Sequence, residues 1–376
     1  MMSARFLTVV LERVFNMRDG FGREIDYMRI SVIDSCNLNC YYCNPCDNNE
    51  HCHALNILSV KEVLCIVRAA TRLGIKHFRL TGGEPLLHPQ LDEMVLQIKK
   101  IPGVSSVSLT TNAVLLVQHA KWLKEAGIDS INVSLDTIDA SEYERITKKP
   151  LLEEVKHGIN AAIECGIRVK INVVLTPQTD VVALTRYVAK KGTDIRFIEM
   201  MPVGEGHTNG VEPYKKVIGT LSKLYGEPCR INTEKTKEIN SGNDKRKIPD
   251  NGPAEYYIFP ELGIRVGLIQ AIHGKFCDTC NRIRVTADGR LMPCLGSSVT
   301  MDLVPDSCEF TDDLEKDFVI VQALKAAIKA KPGCHNFNDN AVTYTKTTET
   351  KTVETKTTEL KAAEVNAARN MSRIGG

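Results

Sequence analysis

The sequence predicts an α/β protein built on a partial (β/α)6 barrel, and three observations predict it. Short β-branched runs alternate with amphipathic stretches six times in succession, as a parallel sheet with crossover helices requires. Gly74, Gly127, Gly166 and Gly192 close successive helical patterns, where helices commonly stop. Polar residues gather where each strand ends, among them Asp34, Thr81, Thr110, Ser134, Asp136 and Glu199. That is the face on which (β/α) barrels and open α/β sheets carry their sites.

The first strand is expected at Met28–Asp34, followed by Phe78–Gly83, Ser106–Asn112, Ser130–Asp136, Arg168–Val174 and Asp194–Met200. Helices are expected near 59–73, 90–100, 116–126, 151–165, 180–191 and 213–225. Ser59 and Glu62 have the spacing of a capping box at the start of the first helix. Residues two apart share a strand face, so Arg29 with Ser31, Arg79 with Thr81, and Lys170 with Asn172 are expected to face one lumen. From about residue 226 the alternation stops. Residues 230–253 are polar and loop-like, and a hairpin is expected from Glu255–Phe259 into Ile264–Ile269. The expected organisation is an N-terminal extension over 1–16, the barrel over 17–225 and a smaller appended region over 226–340. A low-complexity insertion over 341–361 and a tail over 362–376 complete it. The insertion repeats a five-residue polar unit between Thr345 and Glu359, a composition that cannot build a core.

Composition narrows the function classes. A chain of 376 residues with 43% hydrophobic content can bury a large core. Its net charge of +2 gives no case for nucleic-acid binding. No run approaches the roughly 18 apolar residues of a membrane span. Residues 1–16 carry Arg5, Glu12 and Arg13 without a clear signal-peptide pattern, so a cytoplasmic protein is expected. The 13 cysteines cluster rather than scatter, which without a secretion signal favours metal or redox chemistry over disulfides. Cys65 and Cys165 lie in helical patterns and fit buried, inert thiols.

The densest chemical signal is Cys36-x3-Cys40-x2-Cys43, directly after the first strand. Iron–sulfur clusters usually take four cysteines, so three leave one iron open to a small molecule. Cys46, Cys52 and His53 follow and would instead allow a closed cluster or a zinc site. A second triad, Cys277-x2-Cys280-x13-Cys294, has Cys308, Cys334 and His335 available as fourth donors, so a zinc ribbon stays open there too. Arg282 and Arg284 stand two apart beside it, on one face if extended. A guanidinium is a planar, permanently charged fork suited to phosphate. Arg282, Arg284, Arg196, Arg79 and Arg29, with Lys170, would together neutralise a triphosphate. Any one of them alone would be a surface ion pair of little worth.

With Tyr42 before its last cysteine, the first triad resembles the radical S-adenosylmethionine (SAM) signature. Thr81-Gly82-Gly83-Glu84-Pro85 resembles that superfamily's Gly-Gly-Glu-Pro turn. The second triad, the runs Asp19–Arg23, Ile131–Asp136, Arg196–Gly204 and Lys331–His335, and the tail Asn370–Gly376 extend the likeness. Most of the chain thus resembles the GTP 3′,8-cyclase family of molybdenum cofactor biosynthesis. Two local departures are Asp34-Ser35, where an arginine commonly precedes the first cysteine, and Asn44-Pro45-Cys46, where Met-Pro commonly follows the third.

The resemblance implies a TIM-like radical SAM barrel with a C-terminal auxiliary-cluster region, two [4Fe-4S] clusters and SAM. It implies that Cys36, Cys40 and Cys43 hold the cluster that cleaves SAM to a 5′-deoxyadenosyl radical. Cys277, Cys280 and Cys294 would hold an auxiliary cluster that binds the purine of GTP. The radical would remove the ribose C3′ hydrogen, and the C3′ radical would close on purine C8. The resemblance also implies SAM contacts from Tyr42, Gly83, Glu84, Thr110, Ser134 and Met201, and GTP contacts from Arg29, Arg79, Lys170, Arg282 and Arg284. Arg196, Arg282 and Arg284 would form the catalytic set together with Gly375 and Gly376, whose missing side chains let the tail thread into a crowded site. The implied partners are a low-potential electron donor, a downstream cyclic pyranopterin monophosphate synthase and a second copy in a homodimer. The alternatives are a peptide-modifying radical SAM enzyme with an auxiliary cluster, and a non-enzymatic iron–sulfur or zinc module.

Overall fold

Six parallel strands follow one another across the sheet in chain order: β1 (Tyr27–Ser31), β2 (His77–Thr81), β3 (Ser106–Thr111), β4 (Ser130–Ser134), β5 (Val169–Val174) and β6 (Asp194–Ile198). The structure is a computed structural model that describes residues 17–43, 56–203, 210–231, 252–297, 299–303, 313–335 and 337. The crossovers carry α1 (Val60–Arg72), α2 (Leu91–Lys99), α3 (Leu116–Glu125), α4 (Ala140–Thr147), α5 (Leu152–Glu164) and α6 (Val181–Lys190). The strand face that the helices cover is apolar, with Met28, Ile30, Phe78, Leu80 and Phe197 fully buried, and the alternate positions, Arg29, Arg79 and Arg196 among them, face the lumen. The capping box at Ser59 and Glu62 forms, and Gly74 takes φ +86° just past the end of α1.

Helix α4 is not among the elements expected from sequence. Its signal is short: Asp139 accepts the Glu142 N–H at 2.8 Å as an N-cap, and Lys148 ends the helix with φ +61°. The expected helix near 213–225 forms as a π-turn, Tyr214–Ile218, running into α7 (Gly219–Tyr225). The expected strands overrun their carboxyl ends by one to three residues in most cases, and there is a physical reason. At the mouth, side-chain carboxylates take over as acceptors for backbone N–H groups: Asn112 donates to Glu84, Val174 to Asp136, and Ile272 to Glu199, each at 2.7 Å.

The region after residue 226 adds its strands to the same sheet. The expected hairpin forms as antiparallel β8 (Glu255–Ile258) and β9 (Arg265–Ile269), and β9 adds parallel to β6. At the opposite edge β10 (Arg282–Val285) adds parallel to β1. Antiparallel β7 (Cys229–Ile231) lies outside β8, while β11 (Arg290–Met292) and β12 (Met301–Asp302) lie outside β10. Among the described residues the two outermost strands, β12 and β7, do not pair, so the barrel is open. Helix α8 (Asp313–Lys329) then returns to α1, where Arg72 pairs with Asp317 at 3.0 Å. No described helix is long and apolar enough to cross a membrane. The expected extension over 1–16, Cys46, Cys52, His53, Cys308, the insertion over 341–361 and the tail with Gly375 and Gly376 lie outside the described residues.

Candidate active site

Both cysteine triads line one cavity of about 280 Å³ at the carboxyl ends of the barrel strands. The first triad sits on the loop that leaves β1. Asp34 secures the start of that loop by accepting from Asn56 Nδ2 at 2.7 Å. Its far side is held by the last turn of α4, where Asn39 N donates to Thr147 O at 3.0 Å and Tyr41 N to Ile146 O at 3.1 Å. The helix that sequence did not predict therefore anchors the cysteine loop. Desolvation at the barrel mouth pushes Cys36 up to about 12 and Cys43 up to about 11, and it raises Cys40 as well. Such thiols stay protonated until a cation binds them, so bound iron would be what ionises them.

Gly82 and Gly83 pack against this loop without room for a side chain. A Cβ on Gly83 would lie 2.2 Å from the Ser35 carbonyl oxygen, and one on Gly82 would lie 2.4 Å from that of Ile33. Glu84 is 1% exposed, and its carboxylate accepts from Leu86 N at 3.0 Å, Thr111 Oγ1 at 2.7 Å and Asn112 N at 2.7 Å. It thus ties the turn after β2 to the end of β3 while lining the cavity. Burial pushes its carboxyl up to about 7, against the pull of these three donors. Asp136, a strand-end residue left out of the expected site set, accepts the Tyr42 hydroxyl at 2.5 Å and the Val174 N–H at 2.7 Å. Burial lifts it to about 6.

The second triad arrives from the far end of the chain. Cys277 opens a 3-10 turn, Cys280 precedes β10, and Cys294 follows β11. Arg23 fixes this loop from the N-terminal side. Its Nε donates to Asp19 at 2.5 Å, Nη1 to Cys277 O at 2.7 Å and Nη2 to Pro332 O at 2.6 Å. Arg282 lies over the Phe276 ring at 5.0 Å, with Nη2 3.9 Å from Cys280 Sγ. Burial alone would raise Cys280, but Arg282 and Lys331 outweigh it and bring the thiol down to about 6. Among the described residues no three His, Cys, Asp or Glu side chains converge as a single metal ion would need. The thiols of each triad line the cavity wall, and a cluster takes its thiolates on separate irons. The donor chemistry fits iron–sulfur groups.

Three arginines form a row on the cavity wall. The parallel register sets Arg284 beside Arg29 and Arg29 beside Arg79 on adjacent strands, and all three line the cavity. Arg79 donates to Ser108 Oγ at 3.1 Å and lies over the Tyr27 ring at 5.6 Å. Arg29 Nε and Arg284 Nη1 are buried with no hydrogen-bond partner among the described residues. Desolvation, followed by the neighbouring guanidinium charges, lowers both groups, Arg284 to about 10. Unsatisfied buried donors of one sign mark a place for a multiply charged anion. Arg196 faces the row across the cavity, oriented by Asn172 at 3.0 Å and Asn132 at 2.6 Å.

Thr110, Ser134 and Met201 also line the cavity. Lys170 does not join them: it is buried within the barrel, on a strand position paired with Asn132 and Asp194. Lys331 and His335 do line it, beside the second triad; from sequence Lys331 entered only as part of a family run, and His335 also as a candidate fourth donor. Their signal was weak because α8 and a long stretch of chain separate them from the cysteines they join.

Residues 30–183 match the family model described as "Radical SAM superfamily", and residues 193–337 match that described as "Molybdenum Cofactor Synthesis C". The chain is 36% identical over 324 residues to "GTP 3′,8-cyclase" of Clostridium perfringens (strain SM101 / Type A), a match spanning 85% of this chain and 95% of that protein. It is likewise 36% identical over 327 residues to "GTP 3′,8-cyclase" of Pelotomaculum thermopropionicum, spanning 85% and 95%. Among solved structures, Streptococcus suis SuiB superposes with a TM-score of 0.52 at 16% identity, covering 85% of this chain and 69% of that one. That likeness bears on the fold alone. The fold is the α/β radical SAM fold with an open parallel sheet, and the superfamily brings with it a four-iron cluster and SAM. By the extent and identity of these matches, the chain belongs to the GTP 3′,8-cyclase family of the radical SAM superfamily.

Proposed function

We propose that this protein converts GTP to its 3′,8-cyclised form, using SAM and two four-iron clusters, one on each cysteine triad. The observation that carries the reading is the arginine row that lines one cavity together with two cysteine triads. When bound, the clusters and SAM supply the one-electron chemistry. The chain supplies placement, and fixing reacting atoms in one geometry is worth about 7–11 kcal/mol of a barrier.

Cys36, Cys40 and Cys43 would hold the SAM-binding cluster, with Tyr42, Gly83, Glu84, Thr110, Ser134 and Met201 around SAM. Cys277, Cys280 and Cys294 would hold the auxiliary cluster at the purine end of GTP. Arg29, Arg79, Arg282 and Arg284 would take the triphosphate, which satisfies the donors of Arg29 and Arg284 that have no partner among the described residues. Arg196, held by two asparagines, would face the reacting ribose. Lys170 would support this set from within the barrel. Gly375 and Gly376 would enter the cavity from the tail. The domain boundaries at 16, 225, 340 and 361, a homodimer, a low-potential electron donor, cytoplasmic location and a downstream cyclic pyranopterin monophosphate synthase complete the proposal.

The test is anaerobic turnover of the reconstituted chain with GTP and SAM. The expected products are 5′-deoxyadenosine and 3′,8-cyclised GTP, with iron for two four-iron clusters. Turnover of a peptide but not GTP, or zinc in place of iron, would overturn the reading.

A further inference from the structure

The two cysteine triads share a cavity but stand among charges of opposite sign. The first has acidic neighbours. Asp136 accepts the hydroxyl of Tyr42, the residue before Cys43, and Glu84 follows the glycine turn packed on Ser35, the residue before Cys36. The second has cationic neighbours. Arg282 Nη2 stands 3.9 Å from Cys280 Sγ. Lys331 is 3% exposed; its Nζ donates to Pro293 O at 2.9 Å, immediately before Cys294, and it lines the cavity together with Cys280.

A reduction adds an electron, so nearby cations favour the reduced centre and nearby carboxylates disfavour it. Arg282 shares its charge with the anion site, whereas Lys331 is directed at the cysteine loop itself. The backbone around Lys331 is held as firmly as its side chain. Arg23 takes the Pro332 and Gly333 carbonyls at 2.6 and 3.0 Å, and His335 Nε2 pairs with Ala271 O at 2.8 Å. A buried ammonium is thus kept in a fixed place on the loop that carries Cys294.

We propose that Lys331 is a positioning residue that sets the auxiliary centre's reduction potential, holding the Cys294 loop and keeping that centre easier to reduce than the SAM-binding one. The proposal rests on the two-cluster reading above. Its consequence is an order of filling: an electron from a low-potential donor settles on the auxiliary centre before the SAM-binding centre is reduced.

The test is an anaerobic redox titration of the reconstituted full chain, followed by electron paramagnetic resonance and paired with iron analysis. Two midpoints are expected, and a Cys280→Ser variant identifies the auxiliary one as the higher. Lys331→Met lowers the higher midpoint at unchanged iron and leaves the other in place, and Lys331→Arg restores it. Asp136→Asn raises the lower midpoint. A Lys331→Met midpoint that does not move at unchanged iron overturns the proposal. If that variant loses its auxiliary iron, the order of midpoints in the parent decides, and an auxiliary midpoint below the other overturns it. A parent chain with one cluster's worth of iron and one midpoint defeats the two-cluster reading instead.

Discussion

Arg29 shows at the scale of one residue how binding and stability oppose each other. Its Nε is buried without a partner among the described residues, and guanidinium neighbours flank it on both adjacent strands. Replacing a buried, unpaired polar group by an apolar one of similar shape relieves strain, whereas a charge-assisted contact to a ligand is worth about 1.5–3 kcal/mol. Arg29→Met is therefore expected to raise the melting temperature of the ligand-free protein while weakening GTP binding roughly 10- to 100-fold. Calorimetric titration beside a thermal melt checks both signs, and a variant that binds GTP normally would remove Arg29 from the anion site.

Glu84 gives the pH dependence. Burial raises its folded-state pKa from 4.5 to about 7. The folded protein then binds this proton more tightly than the unfolded chain does. The associated stability is complete below about pH 4.5 and is lost as pH rises towards 7, by roughly 3 kcal/mol in all. Glu84→Gln removes the titration. Its stability, lower at every pH for want of an acceptor, should be flatter over that window in cluster-free protein. Parallel slopes for parent and variant in denaturant titrations would refute the assignment.

At the scale of elements, the turn after β2 and the cysteine loop after β1 behave as one piece. A Cβ at Gly83 would overlap the Ser35 carbonyl at 2.2 Å, and backbone cannot yield as a flexible side chain can. Gly83→Ala should therefore displace the loop and cost the iron of the first triad while sparing that of the second. Iron analysis with circular dichroism separates this from global unfolding, and full iron retention would show the contact to be soft.

The six central strands and most helices were legible in sequence because their burial is periodic and their ends carry capping residues and glycines. Helix α4 was not, since eight residues give too few turns for a period to stand out. β10, β11 and β12 were not, because strands of four residues or fewer carry almost no alternation, whereas the equally short β8 was marked by the Pro260–Gly263 turn that follows it. The cysteines and arginines of the site were legible from residue type and motif. Asp136, Lys331 and the unpaired state of Arg29 were not, because what distinguishes them is which neighbours the sheet brings to them.

For the molecule as a whole, crowded cations in an otherwise well-packed barrel predict a large response to polyanions. A ligand at 100 times its dissociation constant stabilises by about 2.7 kcal/mol. For a domain of this size that amounts to a rise in melting temperature of about 5 °C. GTP should produce such a rise and inorganic triphosphate much of it, while guanosine should give little. An equal shift with guanosine would mean that the arginine row is not the principal anchor.

The position of β1 has a further consequence, for the ribosome rather than the reaction. One flank of β1 is covered by β2, made soon afterwards. The other waits for β10, and the Asn281 side chain that donates to Asp26 at 2.7 Å lies 255 residues downstream. Throughout most of translation the nascent chain therefore presents a bare strand edge, the kind of surface to which a second chain adds. Fragments released before residue 282 should be captured by chaperones or precipitate, and supplying the missing C-terminal piece in trans should rescue them.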